Sequence, residues 1–361
     1  MRWLAAAVVV VAVAVVAIVL ETRRPPPHLL VGVDDDTAKW LARPDSVLRL
    51  DRELGVEAVR LWIPWRGAVA PRGLAATYLR RAEGLANGGQ RVVLAVFGFR
   101  ADAPLTAAQR DRYCTFVGRA LALAPSVRDV VVWNEANSRT YWPTSAGAPA
   151  YAALLARCWD VVHALERPVN VIDSTASRHG PEAFLRRLGD AYRVSGRRRP
   201  LVDVFGHNPY PNGSTEPPET RHRVGMLGEG DYERLVSVLR AAFRGTAQPI
   251  PGGEDGASIW YLEDGFQTVV PPAKLARYTG RETSRSLLSP AAQALRLRAA
   301  LVLAACQPAV GAFFNFELTD EVRLAGWQSG LLWRGGKRKP AFEAFRQSIA
   351  DIRAGRVDCE R

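Results

Sequence analysis

The sequence predicts an α/β protein, a parallel (β/α)8 TIM barrel behind an apolar N-terminal segment, and three observations carry that prediction. Short runs of strand formers alternate with longer helical stretches along the chain, the pattern of a parallel sheet. One run, Val130-Val131-Val132, ends abruptly in Trp133-Asn134-Glu135, and three β-branched residues in succession suit a strand buried on both faces. Another, Ile259-Trp260-Tyr261-Leu262, ends in Glu263 ahead of an Asp-Gly loop signal. The two glutamates are 128 residues apart. Three strand-helix units of roughly 40 residues would give that separation and bring both carboxylates to one mouth of a barrel.

The elements follow in order. Residues 29–33 form a candidate first strand leading into Asp34-Asp35-Asp36, read as a polar rim loop and helix cap, since a calcium loop would need alternating ligands. Residues 56–62 form the second, with Arg60 in an apolar context where a buried guanidinium needs a carboxylate partner. Trp62 and Trp65 follow at the mouth. Residues 91–99 are the third strand, succeeded by a helix running through Cys114 to residue 123. The fourth strand delivers Glu135, and its loop adds Asn137, Tyr141 and Trp142. A helix over 150–165 holds Cys158, and 169–173 is a short fifth strand. Residues 201–206 are the sixth, ending in His207-Asn208-Pro209-Tyr210. Residues 212–231, rich in Gly, Pro, Ser and Thr, read as a substrate-side loop. A helix over 232–243, the strand of Glu263, a helix over 290–305 and an eighth strand over 310–316 complete the alternation.

Composition narrows the function. The 361 residues suffice for one barrel, and 48% of them are hydrophobic. The formal charge of +12 comes from arginine, because only four of the 48 basic residues are lysine. The one dense basic run, Arg197-Arg198-Arg199, sits beside Gly196 and Pro200 and reads as a solvated loop, so no nucleic-acid partner is expected. Residues 3–20 are uncharged and apolar after Arg2, long for a signal peptide and just enough to span a bilayer. With the Pro25-Pro26-Pro27 spacer, residues 1–28 read as a signal peptide or signal anchor and 29–361 as the catalytic barrel. That implies export, with membrane attachment through the N-terminus if it is uncleaved. The four cysteines contain no Cys-x-x-Cys pair, and an exported chain permits two disulfides in three pairings. Cys114 with Cys158, on successive outer helices, and Cys306 with Cys359, joining the last two helical segments, is the expected pairing. No metal or organic cofactor is expected, and a monomer is.

A carboxylate is costly to bury at a strand end unless it has a task or a partner, and two flanking a sugar are the equipment of glycoside hydrolysis. With Asn134-Glu135 at a strand 4 position and Glu263 at a strand 7 position, the chain resembles the clan A glycoside hydrolases, most closely families 5 and 39, over roughly residues 29–350. The resemblance implies retaining cleavage of an oligo- or polysaccharide. Glu263 would be the nucleophile and Glu135 the acid and base, their carboxyls about 5–5.5 Å apart. It also implies that Arg60 and the Tyr210 hydroxyl contact Glu263 and that Asn134 binds the sugar 2-hydroxyl; Trp62, Trp142 and Trp327 are candidate substrate contacts by their place at the mouth and in the strand 8 loop. The families carry His-x-Tyr after strand 6. The spacing here is His-x-x-Tyr, so either His207 or Asn208 fills the first place. A strand 8 loop with Trp327 and a closing helix at Lys339-Pro340 resemble the family tail. The rivals are a transglycosylase on the same residues and a non-catalytic, anchored carbohydrate-binding barrel.

Overall fold

The computed structural model describes residues 29–37, 45–252 and 256–359; the expected N-terminal targeting segment lies outside them. Nine parallel strands form one curled sheet. They are β1 (Leu30–Asp34), β2 (Ala58–Pro64), β3 (Arg91–Phe97), β4 (Asp129–Val132), β5 (Asn170–Ile172), β6 (Thr175–Ala176), β7 (Phe205–Asn208), β8 (Ile259–Asp264) and β9 (Val310–Phe316). Their spatial order is β5-β4-β3-β2-β1-β9-β8-β7-β6. The two ends of that order, β5 and β6, are separated in sequence only by Asp173 and Ser174. They are two halves of one staggered strand, so the sheet curls back on itself as an α/β barrel-like fold with eight strand positions.

Helices alternate with the strands: α1 (Asp45–Leu54), α2 (Leu74–Asn87), α3 (Ala107–Leu123), α4 (Gly147–Val162), α5 (Pro181–Val194), α6 (Tyr232–Phe243), α7 (Pro290–Ala305) and α8 (Pro340–Arg353). Local chemistry marks several starts. Thr106 and Gln109 form a reciprocal capping box on α3, and Ser289 accepts the Ala292 amide at the head of α7. Proline occupies the first turn of α5, α7 and α8, where its missing N–H costs nothing.

Alternation along the strands sorts the side chains into two layers. On β2, Val59, Leu61 and Ile63 are fully buried in the core with helix residues such as Leu79 and Leu85. Arg60 and Trp62 point the other way, into the barrel. Gly32 is needed on β1 because a Cβ there would lie 2.6 Å from the Phe314 ring and 2.7 Å from the Ala58 carbonyl oxygen. Two disulfides brace the outside. Cys114–Cys158 joins α3 to α4 with Cα atoms 4.7 Å apart, and Cys306–Cys359 ties the end of α7 to the segment after α8 at 5.3 Å. Among the described residues no helix is long and apolar enough to cross a membrane.

Candidate active site

The C-terminal strand ends open onto a cavity of about 710 Å³. Asp34 to Thr37, Arg60, Trp62, Phe97, Phe99, Asn134, Tyr141, Glu263 and Phe316 line it together with parts of the segment after β9. Two local irregularities aim the carboxylates. In β8, Tyr261 pairs with Phe313 and Asp264 with Asn315, so three steps on one strand match two on the other. This bulge breaks the alternation between Tyr261, which reaches outward to Gln307, and Glu263, which lies at the cavity. After β4, Trp133 and Glu135 both have positive φ, 68° and 39°. Such backbone is rare and strained for side chains of this size and is often found at functional sites.

Sequence reasoning missed what holds that turn. The Tyr113 hydroxyl on α3 donates to the Val96 carbonyl and accepts the Trp133 amide. The Tyr151 hydroxyl on α4 donates to the Val132 carbonyl and accepts the Ser174 amide. Ser174, in the break between β5 and β6, accepts the Glu135 amide on its hydroxyl at 3.1 Å. Neither tyrosine was among the candidate residues. The signal was a phenol, which when buried must find a polar partner.

The polar network is continuous. Arg60 forms ion pairs with Asp34 and, at 2.7 Å, with Glu263 Oε1. Its other Nη donates to Asn134 Oδ1 at 2.9 Å. The Tyr210 hydroxyl donates to Glu263 Oε2 at 3.2 Å, and Asn208 Nδ2 donates to Glu135 Oε1 at 3.0 Å. Burial raises the pKa of both glutamates. Arg60 opposes it most at Glu263, where Glu135 adds a like-charge push and Tyr210 a hydrogen bond. At Glu135 the Asn208 amide opposes it first, with smaller help from Arg60 and Arg178.

The remaining expected contacts divide. Trp62 lines the cavity against Phe97. Trp327 packs on Tyr210 with ring centroids 4.9 Å apart and on Phe316 at 5.4 Å. Trp142 is corrected: it is buried in the wall, its indole N–H donating to the Gly147 carbonyl and its ring edge-on to Trp133 and Tyr151. His207 is corrected too. The sixth strand position runs on to Asn208, so alternation turns His207 outward and Asn208 inward. Both His207 nitrogens are engaged, by Thr175 Oγ1 and the Leu227 carbonyl, and burial lowers its pKa to about 4. Asn208 therefore holds the place that the sequence left open between the two.

No protein-family model matches the chain, and no curated relative does. Solved structures that resemble the chain in fold include glycoside hydrolases. A family 39 glycoside hydrolase from the gut symbiont Bacteroides cellulosilyticus WH2 superposes with a TM-score of 0.64 at 17% identity over 90% of this chain, which spans 64% of that chain's length. A family 5 subfamily 18 protein from Bifidobacterium longum subsp. infantis gives 0.62 at 15% identity, covering 90% of this chain and 79% of that one. The family 53 catalytic domain of Ignisphaera aggregans gives 0.61 at 18% identity over 90% and 98%. The fold is thus the one shared by the clan A glycoside hydrolases.

Proposed function

We propose that residues 29–361 are the catalytic barrel of a retaining O-glycoside hydrolase acting on an oligo- or polysaccharide. Glu263 attacks the anomeric carbon, and Glu135 protonates the departing oxygen and later takes the proton of the attacking water. The observation that carries the reading is the unequal company of the two buried carboxyls. Glu263 has a guanidinium at 2.7 Å and a phenol at 3.2 Å, partners that favour an anion ready to attack. Glu135 has one neutral amide, so burial works against its charge with less opposition, as an acid requires. Asn134, held by Arg60, presents its amide toward the sugar 2-hydroxyl. Trp62 and Trp327 offer ring faces to the sugar. The two disulfides support export, since such bonds persist in oxidising compartments. On this reading the apolar residues 3–20 direct or anchor the chain, and the barrel acts as a monomer.

The test is hydrolysis of a panel of aryl glycosides and polysaccharides by the wild type, Glu263→Ala and Glu135→Ala. With a dinitrophenyl β-glycoside, azide should rescue Glu135→Ala and give the β-glycosyl azide. With Glu263→Ala it should give only the inverted product. The opposite pattern would exchange the two roles, and sugar binding without turnover by the wild type would leave a binding barrel.

A further inference from the structure

The cavity has two unlike walls. One is aromatic, with Trp62 on Phe97 and Phe99 stacked on Tyr141. The other is acidic and serves none of the chemistry above. The pairing of Asp34 with Phe316 sets the ends of β1 and β9 side by side, so Asp35 and Glu317 follow on adjacent strands at the mouth, and both line the cavity. Asp35 is only 4% exposed. Its Oδ1 accepts the Thr37 amide, but its Oδ2 is buried with no hydrogen-bond partner among the described residues. Glu317 Oε2 is likewise buried and unpartnered among the described residues. A buried acid oxygen without a donor is costly, so the pair is a place prepared for one.

The charges around the pair set what the donor is. Burial first, then Glu321, Asp35, Asp34 and Asp36 in that order, push the Glu317 carboxyl toward its neutral form. Asp34 is answered by Arg60, and Arg323 faces Glu321. Arg334 completes the rim. A neutral hydroxyl would supply hydrogen bonds but no charge. A carboxylated sugar would meet further anions. No group of three or more acidic, histidine or cysteine side chains suited to a metal exists among the described residues. An ammonium on a ring that stacks against Trp62 satisfies both walls.

We infer that this wall is a subsite for a glycan bearing free amino groups, with Asp35 and Glu317 receiving the ammonium of a sugar held beside Glu263. The inference rests on the proposed glycosidase reading for its substrate role, but its binding claim stands apart. The protein carries a formal +12, so its overall field repels such a ligand and any preference must be local. Burial raises Asp35 to about 7 and Glu317 well above the usual carboxylate range. An arriving ammonium favours the charged form of each carboxyl, so protons should leave as the ligand binds.

The experiment measures calorimetric binding of a β-1,4-linked glucosamine tetramer and of its N-acetylated counterpart to the full chain carrying Glu263→Ala, which prevents turnover. We expect the free amine to bind at least about tenfold tighter at pH 7, the range of a charge-assisted hydrogen bond. Proton release should show as a dependence on buffer ionisation heat. Asp35→Asn and Glu317→Gln, made singly and checked by thermal melting, should each shrink the preference to within about threefold. Equal or tighter binding of the acetylated tetramer overturns the inference without any variant. So does a preference that survives both substitutions. Hydrolysis of neutral aryl glycosides with no amine preference would sink this inference and leave the glycosidase reading standing. Amine-selective binding by a chain that cleaves no glycoside would do the reverse.

Discussion

Replacing Arg60 with methionine probes the proposed nucleophile most directly. The guanidinium sits 2.7 Å from Glu263, and Asp34 and Asn134 share it. Two charges about 4 Å apart interact by about 4 kcal/mol at an effective dielectric of 20. Each pKa unit is about 1.36 kcal/mol, so the ceiling on the shift at Glu263 is about three units. Water entering from the cavity will recover part of it, and an opposite charge at this range commonly holds a carboxylate down by about 1–3 units. Since Glu263 must be ionised to attack, the acid limb of kcat/KM should move up by about 1–3 pH units. Glu135 keeps its amide partner, so the basic limb should move much less and the profile should narrow. The assay is the pH dependence of kcat/KM on an activated aryl glycoside, which reports the free enzyme. Uncoupling a buried charge network costs about 3–5 kcal/mol of stability, so melting is followed in parallel. Arg60→Lys, which keeps the charge without the planar fork, should move the limb less than methionine does. An acid limb that stays in place while the rate falls would refute the reasoning and mean that Arg60 acts on the substrate instead.

Three further outcomes follow from the same geometry. Asn208→Ala removes the amide that opposes burial at Glu135, so the basic limb of the profile should shift upward while the acid limb moves less. A fixed basic limb contradicts that. Asp51 in α1 is buried with both oxygens unpartnered among the described residues, and burial, with a smaller push from Asp35, raises it from 3.8 to about 7. Its folded pKa lies above its unfolded one, so its contribution is full below about pH 4 and lost as the pH rises through 7. Asp51→Asn should gain about 2–4 kcal/mol at pH 8 and less at pH 5 by denaturant melts, and a gain independent of pH would refute this. Breaking Cys114–Cys158 with paired serines opens a loop of 44 residues. A loss of about 4 kcal/mol is expected on chain-entropy grounds, read as a lower midpoint in guanidinium.

Much of this was legible because parallel strands buried on both faces leave apolar runs with polar ends. The runs before Glu135 and Glu263 named their elements, and an arginine inside residues 56–62 demanded an acid that proved to be Asp34 as well as Glu263. What stayed hidden depends on register. Nothing in the sequence says that β7 runs to Asn208, yet that extension turns His207 out and Asn208 in. The β8 bulge that aims Glu263 leaves no mark in composition either. Trp142 could not be told from a platform residue, because an indole suits a cleft and a wall equally well. Asp35 was read as a rim residue, since its missing partner belongs to contacts that do not form within its own segment.

The arrangement of α3 and α4 bears on when the site is completed. Tyr113, one residue before Cys114, and Tyr151, two turns before Cys158, grip the strained turn of Glu135 from opposite sides. The disulfide fixes the distance between those two grips. If the chain is exported, as proposed, this clamp closes only where thiols are oxidised. The turn that carries Glu135 would then receive its last brace only after export.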